Sequence, residues 1–367
     1  MSEADLILII VVATALIFDF TNGFHDTANA VATAISTRAL RPRVAVLLAA
    51  FLNFVGAFIS LEVAATVAAD VVNAEVITQN VIFAGLIGAI AWNLITWYFG
   101  LPSSSSHALI GGVVGAAFAA AGAGAVIGDG VVGKVLIPAL VAPVMAFIVA
   151  GLGIVVAYRI VGRQRPGPVT RSFRLGQILS ASMFAISHGT NDAQKTMGII
   201  TLALIAHGTL PANDFEVPFW VVVSAATAIG LGTYTGGWRI IRTMGTRVHK
   251  MDPAQGFTAE GAGSAVILAS THFGFPLSTT HVISGAIMGS GAGKRLSAVR
   301  WGVAGNIFAA WLLTVPAAAG FGALTYGLVQ LFGSGATGPI VITVAAGAAM
   351  AYILGRRARR GAPVPAS

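Results

Sequence analysis

Two short polar strings lie inside long apolar stretches of the chain. They read Pro102-Ser-Ser-Ser-Ser-His107 and Pro276-Leu-Ser-Thr-Thr-His281, and each precedes a helical pattern. Hydroxyls at a helix start can cap free backbone N–H groups, but both strings carry more of them than capping needs. Helix N-termini with such donors can bind an anion, so the strings predict a site for one compact tetrahedral oxyanion. The candidate hydroxyls belong to Ser104, Ser105, Ser106, Ser278, Thr279 and Thr280.

Each string is matched by an upstream carboxylate, Asp26 in the first half and Asp192 in the second. An aspartate at the bilayer centre costs about 2.5–3.5 kcal/mol on insertion scales, so its recurrence in matching places favours a function. Carboxylates repel an anion strongly at low dielectric. A proton or a metal ion must therefore intervene, which is the physical basis of symport. Asp19 also lies in an apolar stretch, but an interfacial or locally paired residue explains it equally well.

Further polar residues accompany the two carboxylates. Asparagine oxygens can orient a carboxylate or ligate a cation, although such residues also form ordinary helix–helix hydrogen bonds. Lys195 follows Asp192 by three residues, which suits either a helical ion pair or a tethered ammonium that replaces a mobile cation. Glu260 is either interfacial or a second proton carrier. The cation-coupling candidates are Asp26, Asp192, Asn22, Asn29, Asn191, Glu260 and Lys195.

Four of the seven histidines lie within these motifs. Histidine can relay protons near neutral pH, while a lone intramembrane histidine is more often a hydrogen-bonded packing residue. The candidate relays are His25, His107, His188 and His281.

The composition indicates a multi-pass helical membrane protein. The chain has 367 residues, 56% hydrophobic and 9% charged, with a mean hydropathy of +0.85, against about 25% charged residues in soluble domains. Apolar stretches long enough to span a bilayer recur, and no alternating strands suggest a barrel. The absence of cysteine excludes disulfides and thiolate metal sites. We expect an all-α polytopic fold of about 10–12 helical segments, some broken or re-entrant.

The net charge of +8 reflects topology rather than nucleic-acid binding. Basic residues fill alternate loops, as the positive-inside rule requires, and the N-terminus is expected outside without a cleavable leader. The basic segments are 38–43, 159–174, 239–250, 294–300 and 356–360. The opposite loops carry Asp70, Glu75, Asp129, Asp214 and Glu216.

The motifs recur in the same order in two halves, which predicts an internal duplication. Residues 1–158 start outside and end inside, a basic linker follows at 159–176, and residues 177–332 therefore start inside. Residues 333–367 add a span and a basic tail. Inverted repeats with the substrate at their seam are typical of secondary transporters. In the first half we expect one span over 44–66, and a break near Asn22 and Gly23 is an option for the span over 6–24.

At these motifs the chain resembles the inorganic phosphate transporter family, closest to the low-affinity bacterial permeases. The matching strings are GFHDTANAVATAISTR (23–38), WNLITWYFGLPSSSSHALIGG (92–112), SHGTNDAQKT (187–196) and GFTAEGAGSAVILASTHFGFPLSTTHVISG (256–285). The resemblance implies a phosphate pocket between the two hydroxyl strings. It also places Asp26 and Asp192 in the coupling-ion sites.

Three departures bear on the coupling ion. Sodium-coupled relatives carry Asn where His25 stands, an acid where Asn53 stands and Asn where Lys195 stands. Each change removes a sodium ligand or adds positive charge, so we favour proton coupling over sodium coupling. The bacterial type also accepts neutral metal–phosphate complexes, which leaves a divalent metal open as part of the substrate.

The sequence thus predicts a phosphate importer of the cell (inner) membrane that forms a homo-oligomer and has no cofactor beyond co-transported H⁺ or Na⁺. One alternative is transport of sulfate or another tetrahedral oxyanion. An intramembrane hydrolase is a different class, but no Gly-x-Ser-x-Gly elbow is present, so we do not expect an enzyme.

Overall fold

The computed structural model describes residues 2–73, 77–211 and 215–359. Glu75, Asp214 and the end of the basic tail lie outside these residues. The described residues form thirteen helices when each uninterrupted helical segment is counted as one helix. This is slightly more than expected, because the short helices α3 and α9 are separate from their neighbours. The helices are α1 (Glu3–Ser36), α2 (Pro42–Gly56), α3 (Glu62–Ala69), α4 (Gln79–Phe99), α5 (Ser105–Ala121), α6 (Gly128–Val161), α7 (Pro166–His207), α8 (Phe219–Thr235), α9 (Trp238–Arg247), α10 (Pro253–His272), α11 (Thr279–Lys294), α12 (Trp301–Gln330) and α13 (Thr337–Arg359).

Four of these helices, α1, α4, α6 and α12, are long and apolar enough to cross a membrane. Helices α8 and α9, bent by 59° at their junction, would form a fifth span together. Large apolar side chains such as Leu140, Leu152 and Leu324 are exposed on α6 and α12, as expected for surfaces that face lipid. The chain is therefore an all-α polytopic membrane protein.

Helices of one half pack against helices of the other half. Helix α1 packs on α8 and α7 packs on α2, while α5 packs on α12 and α11 packs on α6. Helices α7 to α12 thus repeat the order and the contacts of α1 to α6, and α13 follows them. Since each helix needs a partner from the other half, neither half encloses a core by itself.

Helix α1 runs unbroken through Asn22 and Gly23. Gly23 serves a close helix crossing instead of a break, since a Cβ placed on it would lie 3.0 Å from the Cα of Gly232 in α8. Such small residues let membrane helices approach closely. The expected single span over 44–66 is wrong, because α2 ends at Gly56 and α3 begins at Glu62.

The stretch predicted as a basic linker is mostly helical. Helix α6 ends at Val161, and α7 already begins at Pro166 and continues for 42 residues. Proline is compatible with the first turn of a helix, where its missing N–H is not needed. Only residues 162–165 separate the two helices.

A polar layer divides the apolar core. On α1, Val11 and Phe18 belong to one apolar cluster, and Ala28 and Val31 belong to another. On α7, Phe184 precedes the polar segment 187–196 and the apolar residues that follow it join the first cluster. The polar motifs therefore lie in the middle of the bundle, where water does not reach them.

Candidate functional site

The two hydroxyl strings meet inside the bundle. Ser106 Oγ donates a hydrogen bond of 3.1 Å to the carbonyl oxygen of Leu277, so the start of α5 touches the segment before α11. The rings of His107 and His281 lie 4.7 Å apart, centroid to centroid. The strings are therefore adjacent and turned toward each other, as an oxyanion site between them requires.

The first serine of each helix start is a cap. Ser104 Oγ accepts a hydrogen bond of 3.0 Å from the backbone N–H of His107, and Ser278 Oγ accepts one of 3.2 Å from the N–H of His281. These two hydroxyls satisfy their own helices. The other four candidate hydroxyls are also buried. Those of Thr279 and Thr280 contact the acids, and those of Ser105 and Ser106 contact His25 and Lys195, the basic partners of the acids.

The carboxylates of the two halves come together. Ligand atoms of Asp26, His188 and Asp192 all lie within 4.8 Å of one another, and all three side chains are buried. Histidine nitrogen and carboxylate oxygen together suit divalent transition metals. This cluster has the donors to hold such an ion, or to share a proton between the two carboxylates.

Asp26 is paired with a histidine. His25 Nδ1 lies 2.6 Å from Asp26 Oδ1, and Thr280 Oγ1 donates to the same oxygen at 3.3 Å. The other ring nitrogen of His25 lies 3.1 Å from Thr96 Oγ1. His25 Nδ1 is also 3.4 Å from Ser105 Oγ. His25 therefore connects an acid of the cluster to the first hydroxyl string.

Asp192 is paired with a lysine. Lys195 Nζ donates to Asp192 Oδ1 at 2.5 Å, which is the helical ion pair expected from their spacing. Asp192 Oδ2 lies 3.2 Å from His188 Nε2 and accepts from Thr279 Oγ1 at 3.2 Å. The second acid thus contacts the second hydroxyl string.

The Lys195 ammonium also bridges the two strings. It donates to Ser106 Oγ at 2.6 Å and to the Leu277 carbonyl at 2.7 Å. A cation held between two hydroxyl-bearing helix starts adds to the attraction for an anion there. Lys195 therefore belongs to both parts of the site, the acids and the hydroxyls.

Two candidate asparagines contact the second string or the residues just before it. Asn29 Nδ2 donates to Thr280 Oγ1 at 2.9 Å, and Asn191 Nδ2 donates to Thr271 Oγ1 at 2.8 Å. Within the described residues, the side-chain oxygens of Asn22, Asn29 and Asn191 have no hydrogen-bond partner. They remain available to ligate a cation.

Glu260 lies apart from the acid cluster. Its carboxylate accepts hydrogen bonds from Ser180 Oγ at 2.7 Å, from Gln177 Nε2 at 3.5 Å and from the hydroxyl of Thr33. Thr33 is seven residues after Asp26, which is about 10 Å along α1. The structure therefore brings Glu260 against the same helix, but into a second polar cluster.

His107 and His281 face away from the acids. They line an apolar cavity of about 750 Å³ between α6 and α12, and the His281 ring stacks on Trp311 with centroids 4.1 Å apart. Of the four candidate relays, His25 and His188 contact the carboxylates.

Sequence reasoning missed two supporting threonines. Thr96 holds His25, and Thr271 holds Asn191. Both stand shortly before a hydroxyl string, inside the conspicuous segments 92–112 and 256–285. Thr96 stands 11 residues before His107 and Thr271 stands 10 residues before His281, and these similar though not identical places were the signal that could have identified them.

Asn53 reaches the cluster through His188. His188 Nδ1 lies 3.2 Å from Asn53 Oδ1, and Asn53 Nδ2 donates to Thr233 Oγ1 at 2.8 Å. All three positions that depart from the sodium-coupled pattern, His25, Asn53 and Lys195, thus lie within one contact of the acid cluster.

Paired hydroxyl strings, buried acids and a buried ammonium in the polar layer of a membrane bundle define a transporter class rather than an enzyme. The model of the phosphate transporter family matches residues 22–171 and 162–322. The chain belongs to the phosphate transporter family.

Curated relatives cover most of this chain. A probable low-affinity inorganic phosphate transporter of Mycobacterium bovis is 54% identical over 327 residues, which is 89% of this chain and 78% of the relative. One from Bacillus subtilis is 46% identical, over 89% of this chain and 98% of the relative. A solved structure described as the sodium-dependent phosphate transporter matches with a TM-score of 0.80 and 26% identity, over 89% of this chain and 99% of the other. The family assignment sets the hydrolase alternative aside.

Proposed function

We propose that this member of the phosphate transporter family imports inorganic phosphate by symport with protons. The observation that carries the proposal is the Lys195 ammonium, which bonds Asp192, Ser106 and the Leu277 carbonyl at once. It joins the hydroxyls that would hold the anion to the acids that would hold the coupling cation.

Phosphate binds, in this proposal, between the two strings. The hydroxyls of Ser105, Ser106, Thr279 and Thr280 donate to its oxygens. A hydroxyl also accepts a hydrogen bond, which a protonated phosphate can donate and sulfate at neutral pH cannot. Ser104 and Ser278 support the pocket by capping its two helices, so the preference for phosphate over sulfate would come from the other four.

Proton coupling is favoured by the residues around the acids. A mobile sodium ion would compete with the Lys195 ammonium for Asp192 Oδ1 and with the His25 ring for Asp26 Oδ1. Both oxygens already have a nitrogen partner at 2.6 Å or less. Glu260, which has neutral hydrogen-bonding partners, is proposed as a second proton carrier further along α1.

Sodium coupling is the principal alternative, because the solved structure that matches this fold is described as sodium-dependent. A neutral metal–phosphate complex is a second possible substrate. The Asp26, His188 and Asp192 donors favour it, since they could ligate the metal of such a complex as cargo.

Transport would follow from the duplication. We propose that residues 1–158 and 177–332 form inverted repeats, and that movement of one unit against the other exposes the strings to each side in turn. The proposed setting is the inner cell membrane, with the protein as a homo-oligomer. Light scattering on the purified protein tests the oligomeric state.

The decisive experiment is phosphate uptake into proteoliposomes with pH and sodium gradients imposed separately. We expect accumulation with a pH gradient alone, unchanged when choline replaces sodium, and weak inhibition by sulfate. Accumulation that requires sodium would show that the coupling ion is sodium and not the proton. Strong competition by sulfate would overturn phosphate selectivity, and adding divalent metal tests the metal–phosphate form.

A further inference from the structure

Asp19 is a buried carboxylate that the phosphate site does not use. Its side chain is fully buried in α1, and within the described ranges neither of its oxygens has a hydrogen-bond partner. Moving an isolated carboxylate out of water without compensation is very unfavourable. A buried Asp19 therefore requires a neutralising cation.

Two further buried polar side chains lie beside this carboxylate. Thr196, on α7, and Asn22, one turn along α1, are the side chains that approach Asp19. Both are buried, and Thr196 Oγ1 and Asn22 Oδ1 also have no hydrogen-bond partner in the described part of the chain. A carboxylate, a hydroxyl and an amide side chain thus meet at one buried place, and the side-chain oxygens of all three lack a partner in the described part of the chain.

No neighbouring charge is free to neutralise Asp19. Among the described residues, the charged groups that act on it are Asp192 and Lys195. Lys195 is already bonded to Asp192 at 2.5 Å. The cation at Asp19 must therefore come from outside the protein.

The other half shows that packing does not require this acid. The offset that relates Asp26 to Asp192 relates Asp19 to Ala185 and Thr196 to Ala30. Ala30 and Ala185 line one small cavity together. The corresponding place is thus lined by two methyl groups and holds no carboxylate.

We propose that Asp19, with Thr196 and Asn22, forms a binding site for a monovalent coupling cation, H⁺ or Na⁺, separate from the Asp26–His188–Asp192 cluster. The proposal rests on the symport function proposed above. Asp19, Asp26 and Thr33 follow one another at intervals of seven residues, so they share one face of α1. The Asp19 site would lie about 10 Å from Asp26, on the side opposite to Glu260.

The test compares net accumulation with exchange. Asp19→Asn keeps the shape of the side chain and removes its charge, and the double variant Asp19→Ala/Thr196→Ala copies the alanine pair of the other half, which should fold. In proteoliposomes we expect gradient-driven phosphate accumulation to fall at least about tenfold in both variants. Exchange of internal for external phosphate, which needs no net cation movement, should stay near the wild-type rate. Asp129→Asn, at an exposed carboxylate, is the matched control and should behave as the wild type.

Imposing a pH gradient alone or a sodium gradient alone distinguishes H⁺ from Na⁺ as the ion bound at Asp19. Loss of the response to one gradient identifies the ion that Asp19 takes. Wild-type responses to both gradients would overturn the proposal, and so would an equal loss of exchange and accumulation in both variants, which a structural carboxylate would produce. Failure of the wild-type protein itself to transport phosphate would instead overturn the proposed function.

Discussion

Asp26 and Asp192 occupy matching places in α1 and α7, but the groups that balance their charge differ. Asp26 is paired with His25, and Asp192 with Lys195. At the offset that relates the two acids, Asn191 stands in the place of His25 and Asn29 in the place of Lys195. In the proposed duplication, the acids and the hydroxyl strings thus recur in both halves, while the positive groups beside the acids differ.

This difference assigns different tasks to the two acids. A lysine bears a fixed charge on a flexible stem, so Asp192 has a permanent partner that also reaches the phosphate pocket. A histidine can change its charge near neutral pH, so under the proposed proton symport the half that contains Asp26 would be the one that exchanges protons. The substitution with the largest expected effect removes an acid, and the substitutions with the smallest expected effect remove a helix cap.

Replacing Asp192 should have the largest effect. Asp192→Asn leaves the Lys195 ammonium, which is 1% exposed, without its counter-charge. Breaking a buried pair in this way costs about 3–5 kcal/mol, so we expect phosphate uptake to be abolished and the unfolding temperature of the purified protein to fall. Membrane insertion, followed by immunoblot, should persist.

The double variant Asp192→Asn/Lys195→Met is the control for stability. It removes both charges of the pair, so the unfolding temperature should recover while uptake stays absent. Wild-type uptake by Asp192→Asn would remove this acid from the mechanism.

Lys195→Asn should make the second half resemble the first. It places the residue found at Asn29 at the matching position and frees Asp192 Oδ1 for a mobile cation. We expect uptake at neutral pH to become sodium-dependent, with about a tenfold loss when choline replaces sodium. Uptake that is insensitive to sodium, as expected for the wild type, would show that Lys195 does not stand in for an ion.

His25→Asn addresses the first half in the same assay. The change removes the ring that connects Asp26 to Thr96 and Ser105. We expect accumulation driven by a pH gradient to fall several-fold while phosphate exchange persists. The matched change in the other half, Asn191→Ala, should impair both rates together, because Asn191 donates to the carbonyl of Phe275, directly before the second string. Equal behaviour of the two variants would contradict the division of tasks.

Ser105→Ala and Thr279→Ala compare the two sides of the pocket. Each change removes one hydrogen bond, worth about 0.5–1.5 kcal/mol, which corresponds to a rise of about 2–12-fold in the half-saturating phosphate concentration. Similar half-saturating concentrations in the two variants would indicate that both strings contribute equally to anion binding. Unchanged values in both variants would place the pocket elsewhere.

Ser104→Ala and Ser278→Ala should have the smallest effect. Each removes an N-cap hydrogen bond to the backbone of His107 or His281, which costs about 1 kcal/mol of stability. We expect matched small decreases in the unfolding temperature with little change in half-saturation. A rise in half-saturation without a loss of stability would make these serines ligands rather than caps.

Local chemistry was readable from the chain alone. Apolar composition defined the membrane class, because soluble domains cannot tolerate so few charges, and recurring polar strings identified the hydroxyl and acid candidates. The i,i+3 spacing of Asp192 and Lys195 offered an ion pair as one of two interpretations, since such residues are neighbours on a helix, and the structure shows that pair. The strings carried the family resemblance that the comparisons confirmed.

Contacts between distant segments were decided by the tertiary structure. Helix α1 continues through Gly23, where α8 packs closely against it, and α7 begins at Pro166, in the stretch that resembled a linker. The separation of Glu260 from the acid cluster, and the unpaired Asp19 beside Thr196, depend on how α1, α7 and α10 pack. A sequence lists which polar groups enter the membrane, but only helix packing determines which of them find partners there.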